Sequence, residues 1–283
     1  MAFYEYLNKV IDPLIGPLLM LGHFWALVIL SLVLSVITTL IYKFMTNQQM
    51  LKAMNEELKN IQKEMKKHSK NAAKVMELQK KSLDLSMKRM VHTLWPTFVN
   101  FIPLILVFGW LSMNFTFAPI EPNQKFDLYV FFENNITGNS NITINVPGGL
   151  ELLSDNKPPL NIIKAGEEMN FKNIYITNKR YNGFLTGKED IYFKGWKLKG
   201  KEGTHTIEID VGNAKYFIDV MISKNKYINP IQPIEDGVIK GIMIDLPKLN
   251  ILNLFGWKIG WLGSYIIFSL LFATIVRKVL KVY

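Results

Sequence analysis

The sequence predicts a membrane α-helical protein with three transmembrane helices, the N-terminus outside and the C-terminus inside. It also predicts a cytoplasmic antiparallel coiled-coil hairpin and an inserted extracellular all-β domain with an immunoglobulin-like sandwich fold. Three observations lead to this prediction. Charge-free apolar stretches are long enough to cross a bilayer, a basic and methionine-rich segment separates the first two, and short alternating strands precede the last. The net charge of +10 is concentrated in the basic segment and the C-terminal tail.

The chain divides into segments with different compositions. At about 1.5 Å per residue, roughly 20 apolar residues cross the hydrocarbon core, and each predicted span is close to that length. Pro103 removes a backbone donor from the second span and predicts a bend there. We predict an interfacial helix (1–23), a first transmembrane helix (24–42), the hairpin (43–93), a second transmembrane helix (94–118), the β-domain (119–254), a third transmembrane helix (255–276) and a tail (277–283).

The orientation follows from the basic residues near the ends of the spans. Cytoplasmic flanks carry an excess of lysine and arginine. On the hairpin and tail side these residues are Lys43, Lys52, Lys80, Lys81, Lys88, Arg89, Arg277, Lys278 and Lys281, whereas the other side has Lys9, Lys125, Lys248 and Lys258. We therefore predict a multi-pass protein of the cell (plasma) membrane, with the hairpin and the C-terminus in the cytoplasm.

The hairpin shows the apolar spacing of a coiled coil. Leu51, Met54, Leu58, Ile61 and Met65 recur at alternating steps of three and four residues, so we expect a helix that continues from the first span. Asn71 is placed to cap a second helix that folds back on the first. That second arm offers two apolar stripes, which consist of Val75, Leu78 and Leu85 and of Met76, Leu83, Met87 and Met90.

Seven of the 13 methionines lie between residues 45 and 90. Thioether side chains adapt to irregular apolar partners, so these residues predict a surface that binds varied hydrophobic segments. The alternative is that they fill the core of the hairpin. The candidate capture residues are Met50, Met54, Met65, Met76, Met87 and Met90, and the lysines predicted to contact ribosomal RNA or an incoming chain are Lys63, Lys66, Lys67, Lys70 and Lys74.

Polar residues inside the first two spans are aligned along helix faces. Ser31, Ser35 and Thr38 share one face of the first span, and Thr97 and Asn100 share a face of the second. Such residues commonly serve close helix packing, which is the alternative interpretation. If the two faces meet, they form a hydrophilic groove that opens to the cytosol and lowers the cost of carrying polar residues into the bilayer.

The segment 119–254 alternates apolar and polar residues in short runs between Asn, Gly and Pro turns, which is typical of β-sandwiches. The clearest hairpin consists of strands 204–211 and 215–222 around Gly212-Asn213. Asn135 and Asn141 match the pattern of glycosylation acceptors. The chain has no cysteine, so this domain depends on its apolar core and not on disulfides.

The order of segments, the Leu-Ile-Tyr-Lys exit of the first span at 40–43, Trp95-Pro96-Thr97, and the Gly-Trp-x-x-Gly-Trp-Leu entry to the third span at 256–262 resemble the archaeal YidC-like proteins. These belong to the Oxa/YidC insertase superfamily, which includes the catalytic subunit of the endoplasmic-reticulum membrane complex. The resemblance covers residues 1–118 and 250–283. It implies insertion of membrane proteins without nucleotide consumption, through a cytosol-facing polar groove and a hairpin that receives substrate from the ribosome. Two features depart from the family: the first span lacks an arginine, and the external segment is long.

The resulting hypothesis is a membrane protein insertase or biogenesis factor. Its expected partners are nascent membrane proteins, the lipid bilayer, the ribosome, and either the Sec translocon or a small partner subunit. Two alternatives stay open: an anchored cell-surface binding or sensing protein that acts through its β-domain, and an ion-conducting subunit. We expect neither an enzyme nor a bound cofactor or metal, because the histidines are far apart and 183–188 departs from a nucleotide-binding loop.

Overall fold

The computed structural model describes residues 2–132, 142–164, 169–170, 175–176, 190–234 and 238–282. The chain forms two compact units. The helical unit comprises Met1–Trp110 and Trp261–Tyr283, and the β-unit comprises Leu111–Gly260.

Helices account for the first unit and for the start of the second. The elements are α1 (Ala2–Ile15), a 3-10 helix (Gly16–Leu21), α2 (His23–Met45), α3 (Gln48–Lys67), α4 (Ala72–Phe115) and α5 (Trp261–Val279). Of these, α2, α4 and α5 are long and apolar enough to cross a membrane, which confirms the prediction of three candidate spans. The third candidate span, α5, begins at Trp261 and not at residue 255, where the third span was predicted to begin.

The first span and the hairpin are separate helices, so the expectation of one continuous helix was wrong. Thr46 is extended, with φ −119° and ψ 148°. The Asn47 side chain then caps α3, because its Oδ1 accepts a hydrogen bond of 3.0 Å from the Met50 amide. Asn71 caps α4 in the same way, with 3.1 Å between its Oδ1 and the Lys74 amide nitrogen, which confirms the predicted cap.

The second hairpin arm and the second span form one unbroken helix, α4. Both Pro96 and Pro103 lie inside it. The arm packs against α3, with Leu51, Ile61 and Leu78 buried and with a 3.2 Å ion pair between Lys81 and Glu57. An antiparallel coiled coil stays a prediction for these two arms.

The first and third candidate spans pack side by side. Near one end, the rings of Phe24 and Phe268 meet edge to face at 5.9 Å. Near the other end, the Arg277 guanidinium lies 5.7 Å from the centre of the Tyr42 ring. Residue numbers rise in the same direction along both helices, so α2 and α5 run parallel.

The β-unit contains antiparallel strands arranged in several sheets. The described strands are β1 (Phe126–Phe132), β2 (Ile142–Asn145), β3 (Leu150–Leu152), β4 (Asn161–Ile163), β5 (Met169–Asn170), β6 (Tyr175–Ile176), β7 (Ile191–Gly200), β8 (Gly203–Val211), β9 (Ala214–Ile222), β10 (Ile231–Pro233), β11 (Ile239–Asp245), β12 (Asn250–Leu254) and β13 (Trp257–Gly260). One sheet has the order β10-β11-β1-β7-β3, with β4 also paired to β7, and a second has the order β2-β8-β9. The other pairs are β5 with β6 and β12 with β13.

The core of the β-unit draws apolar side chains from both larger sheets. Leu128, Phe131 and Trp196 come from one sheet, and Ile207 and Val220 come from the other. The predicted hairpin around Gly212-Asn213 is confirmed: Val211 pairs with Ala214, and Gly212 has a φ of +59°. An immunoglobulin-like fold stays a prediction. Asn135, Asn141 and the segment 183–188 lie outside the described residues.

The chain enters and leaves the β-unit through two paired segments, 116–118 and 247–249, which we call the neck. The Ala118 amide donates to the Pro247 carbonyl at 2.7 Å, and the Leu249 amide donates to the Thr116 carbonyl at 3.1 Å. The Tyr227 hydroxyl oxygen accepts from the amides of Thr116 at 3.1 Å and Phe117 at 3.3 Å. Burial raises the pKa of Tyr227, so this hydroxyl stays neutral at physiological pH.

Tyr227→Phe is expected to lower the free energy of unfolding of the β-unit by about 1–2 kcal/mol, because two neck amides lose their acceptor. The measurement is chemical denaturation of the full chain, followed by hydrogen exchange of neck amides. Tyr192→Phe is the matched control, since the Tyr192 hydroxyl makes no hydrogen bond to a residue that the structure describes. Equal effects of the two substitutions would contradict a specific role for the Tyr227 hydroxyl.

Candidate functional site: an exposed stripe on α4

A row of large apolar side chains runs along one side of α4 without being covered by protein. The residues are spaced by three, four or seven positions, so they share one face of the helix. We call this row the apolar stripe, and it consists of Met76, Leu83, Met87, Met90, Leu94, Phe98, Phe101 and Ile105. The exposed fraction of these side chains ranges from 44% at Leu94 to 70% at Met76.

The apolar stripe extends from the hairpin arm into the second candidate span. At about 1.5 Å per residue, the distance from Met76 to Ile105 is on the order of 45 Å. The part up to Met90 was predicted from the sequence, whereas the hairpin and the span were expected to be separate elements. The signal for the rest was the uninterrupted three-four spacing through Leu94 and Phe98.

The predicted capture methionines fall into two groups. Met76, Met87 and Met90 are exposed on the apolar stripe. The three on α3 are half-buried, and these are Met50, Met54 and Met65. The α3 methionines are therefore partly covered by protein, whereas the α4 methionines present thioether groups to the surroundings.

An open depression of about 450 Å³ lies at the turn between the two arms. It is lined by Gln62, Met65, Lys66, Ser69 and Val75. The neighbouring lysines Lys63, Lys67 and Lys70 are exposed, and Lys74 forms a 2.8 Å ion pair with Glu77. The turn of the hairpin therefore combines a shallow cavity with a strongly positive surface.

The polar residues of the first span lie in its packed face. Ser31 and Ser35 are buried, with exposed fractions of 0% and 4%. Their hydroxyls donate to the carbonyls of Leu27 and Ser31, each at 2.7 Å. The half-buried Thr38 donates to the Leu34 carbonyl at 2.8 Å. The burial of the two serines is what the helix-packing interpretation expects, and their place in a groove stays a prediction.

The polar residues of the second span are more open. Thr97 is exposed, and its hydroxyl donates to the Thr93 carbonyl at 2.7 Å. Asn100 is half-buried, and its Oδ1 is buried without a hydrogen-bond partner among the described residues. Neither residue bonds to the α2 hydroxyls in the described part of the chain. An amide oxygen without a partner in apolar surroundings costs free energy, so this position is poised to accept a hydrogen bond.

The sequence of α2, α3 and α4 lies within a region that matches a known protein family. Residues 8–134 match the integral membrane protein family described as EMC3/TMCO1-like. This family belongs to the Oxa1/YidC-type insertase superfamily, so the match supports the superfamily that the sequence resemblance implied. Comparisons with curated proteins and with solved structures gave no match.

The matched region, residues 8–134, covers less than half of the chain. It contains α2, α3 and α4 in full, and therefore the whole apolar stripe, and it ends shortly after β1. Most of the β-unit and all of α5 lie beyond it. A role in membrane insertion or biogenesis is consistent with this family in general.

Proposed function

We propose that this protein is a YidC-like membrane insertase. In this proposal the hairpin lies in the cytoplasm, receives an apolar segment of a nascent membrane protein, and passes it along α4 into the bilayer. The observation that carries the proposal is the apolar stripe, because it is exposed and continues from the hairpin arm into the span. The EMC3/TMCO1-like match supports membrane-protein clients and lipid as partners.

The stripe offers a client segment continuous apolar contact. Apolar surface that is removed from water contributes roughly 25 cal/mol per Å² to the free energy of binding. Because the stripe is continuous, a client that moves along it keeps part of its apolar surface covered and does not return fully to water. Methionine side chains adapt their shape to unrelated sequences, which suits a surface that meets many clients. The apolar residues beyond Met90 then deliver the segment to surroundings of the same polarity.

The positive turn of the hairpin is the proposed contact with the ribosome. Phosphate groups of ribosomal RNA attract lysines that are exposed and not neutralised by a carboxylate. Lys63, Lys66, Lys67 and Lys70 fit this description better than Lys74, which pairs with Glu77. Assistance by the Sec translocon or a small partner subunit stays a prediction.

The polar flank of a client needs hydrogen-bonding groups within the membrane. We assign this role to Thr97 and Asn100, because the hydroxyls of Ser31 and Ser35 already donate within their own helix. The Asn100 Oδ1 would accept a hydrogen bond from a water molecule or a backbone amide of the passing chain.

Site-specific photo-crosslinking tests the proposal directly. A photo-reactive amino acid at Met87 is compared with one at Asn60, which is exposed on α3 and outside the apolar stripe. Ribosomes carrying a nascent transmembrane segment are the probe. The proposal expects adducts from Met87 that disappear when the segment is made polar, and few adducts from Asn60. Adducts of similar yield at both sites would show that the stripe does not receive clients.

Asn100→Leu is expected to stabilise the protein and to slow insertion. The substitution removes a buried oxygen without a partner, so the free energy of unfolding should rise by about 1–2 kcal/mol. Insertion of a client with a polar flank into reconstituted vesicles should become severalfold slower, since desolvation of that flank is no longer compensated. Val99→Leu is the control for added volume. A normal insertion rate in Asn100→Leu would remove this amide from the mechanism.

A further inference from the structure

The hairpin formed by β12 and β13 has one apolar and one polar face at its tip. Leu254 pairs with Trp257, and Asn253 pairs with Lys258. Because directly opposed residues in antiparallel strands share a face, the first pair is apolar and the second is polar. All residues from 253 to 258 are exposed, whereas Ile259 at the base is buried. The tip is therefore an uncovered amphipathic element.

The turn of this hairpin displays an aromatic residue where the backbone does not favour one. Phe255 has a φ of +54° and Gly256 a φ of +92°, which is the geometry of a tight two-residue hairpin turn. Asparagine, aspartate and glycine tolerate the first of these positions better than phenylalanine. The Asn253 Oδ1 holds the turn by accepting from the Gly256 amide at 3.0 Å. The Phe255 side chain is fully exposed, so packing within the protein does not account for it.

The base of the hairpin is continuous with a candidate membrane span. β13 ends at Gly260, and α5 begins at the next residue, Trp261. Asn250 pairs with Gly260, so both strands of the hairpin start beside the entrance to α5. With about 3.3 Å per residue, five residues place the tip within roughly 17 Å of that entrance. The tip is therefore within reach of the lipid headgroups around α5.

We propose that the tip of the β12-β13 hairpin inserts its apolar face into the lipid headgroup region, on the side of the membrane where the β-unit lies. Leu254, Phe255 and Trp257 contact the acyl boundary, where tryptophan and phenylalanine side chains are favoured. Lys258 lies on the opposite face, where its ammonium group meets headgroup phosphate. The occupant of this surface is lipid, because the hairpin continues directly into α5, a helix that is long and apolar enough to cross a membrane. This inference does not depend on the proposed insertase function.

Labelling with an environment-sensitive dye tests the proposal. The chain has no cysteine, so Phe255→Cys gives a unique attachment site for a nitrobenzoxadiazole dye. Phe217→Cys is the matched control, since Phe217 is also an exposed phenylalanine of the β-unit, on β9. The full chain is reconstituted into phosphatidylcholine and phosphatidylglycerol vesicles with or without doxyl-labelled lipid. Iodide serves as the water-soluble quencher, and Trp257→Cys provides a second site if Phe255→Cys does not fold.

The expected result is a blue-shifted emission at position 255, strong quenching by doxyl lipid and loss of quenching by iodide. Position 217 should show the reverse. Quenching of the position 255 dye by iodide but not by doxyl lipid would overturn the proposal, because the tip would then lie in water. Protection from both quenchers would also overturn it and would identify a protein contact as the occupant.

Discussion

Replacing both Met87 and Met90 by glutamate is expected to reduce client insertion at least about tenfold, a change that corresponds to 1.4 kcal/mol. Both side chains are exposed, so the substitutions leave the packing of the hairpin intact. A carboxylate that faces an apolar client loses hydration without gaining a partner. The free-energy cost of that lost hydration exceeds the roughly 1.4 kcal/mol that corresponds to a tenfold change in rate. The measurement is the initial rate of insertion of a single-span client into vesicles that contain the purified protein.

The control variant carries the same added charge on the other arm of the hairpin. Ala53→Glu with Asn60→Glu adds two carboxylates at exposed positions of α3, away from the apolar stripe. If both double variants slow insertion equally, the effect comes from the net charge of the hairpin and the apolar stripe has no special role. Retention of full insertion activity by the Met87 and Met90 variant would contradict the proposed path along α4.

Trp196→Ala is expected to lower the free energy of unfolding of the β-unit by about 3–5 kcal/mol, as for other large aromatic residues in cores. Trp196 is almost fully buried, with 1% of its surface exposed, so its removal leaves a cavity. Its Nε1 also donates to the Asn156 carbonyl at 3.0 Å, and that carbonyl loses its donor. Chemical denaturation of the full chain, monitored by hydrogen exchange in β1 and β7, measures the effect.

Phe217→Ala is the control for the loss of an aromatic side chain that is not in the core. Phe217 is 54% exposed, so its truncation should cost less than about 1 kcal/mol. A similarly small effect of Trp196→Ala would mean that Trp196 is not tightly packed in the core described above. The exchange rates of the α2 and α5 amides should be unchanged in both variants, since these helices belong to the other unit.

Some elements followed directly from local sequence. The three candidate spans were predictable because the absence of charge over the required length is itself the physical criterion for a membrane helix. The β8-β9 hairpin was predictable because Gly212 supplies the positive φ that its tight turn needs. The cap at Asn71 was predictable because the polar residues 68–71 interrupt the regular apolar spacing of the two arms.

Other features depended on contacts that no local pattern reveals. The burial of Ser31 and Ser35 was not evident from local sequence, because burial of an α2 side chain depends on elements distant in the sequence, and α5, which packs along α2, is one of them. Their predicted place in a groove stays a prediction. The break at Thr46-Asn47 was missed because the apolar spacing on either side is compatible with one helix. The amphipathic tip at 253–258 was hidden inside an apolar stretch that resembled the beginning of the third span.

The neck gives the β-unit the character of a removable module. Its two segments are hydrogen-bonded neighbours, so the points where the module leaves and rejoins the rest of the chain are adjacent. Insertions whose ends are close together are tolerated by the host fold, because a short connection can replace them. The β-unit could therefore have been acquired, or exchanged for another, without any change in the register of the helices on either side. Such a graft point would let the same set of helices carry a different inserted module.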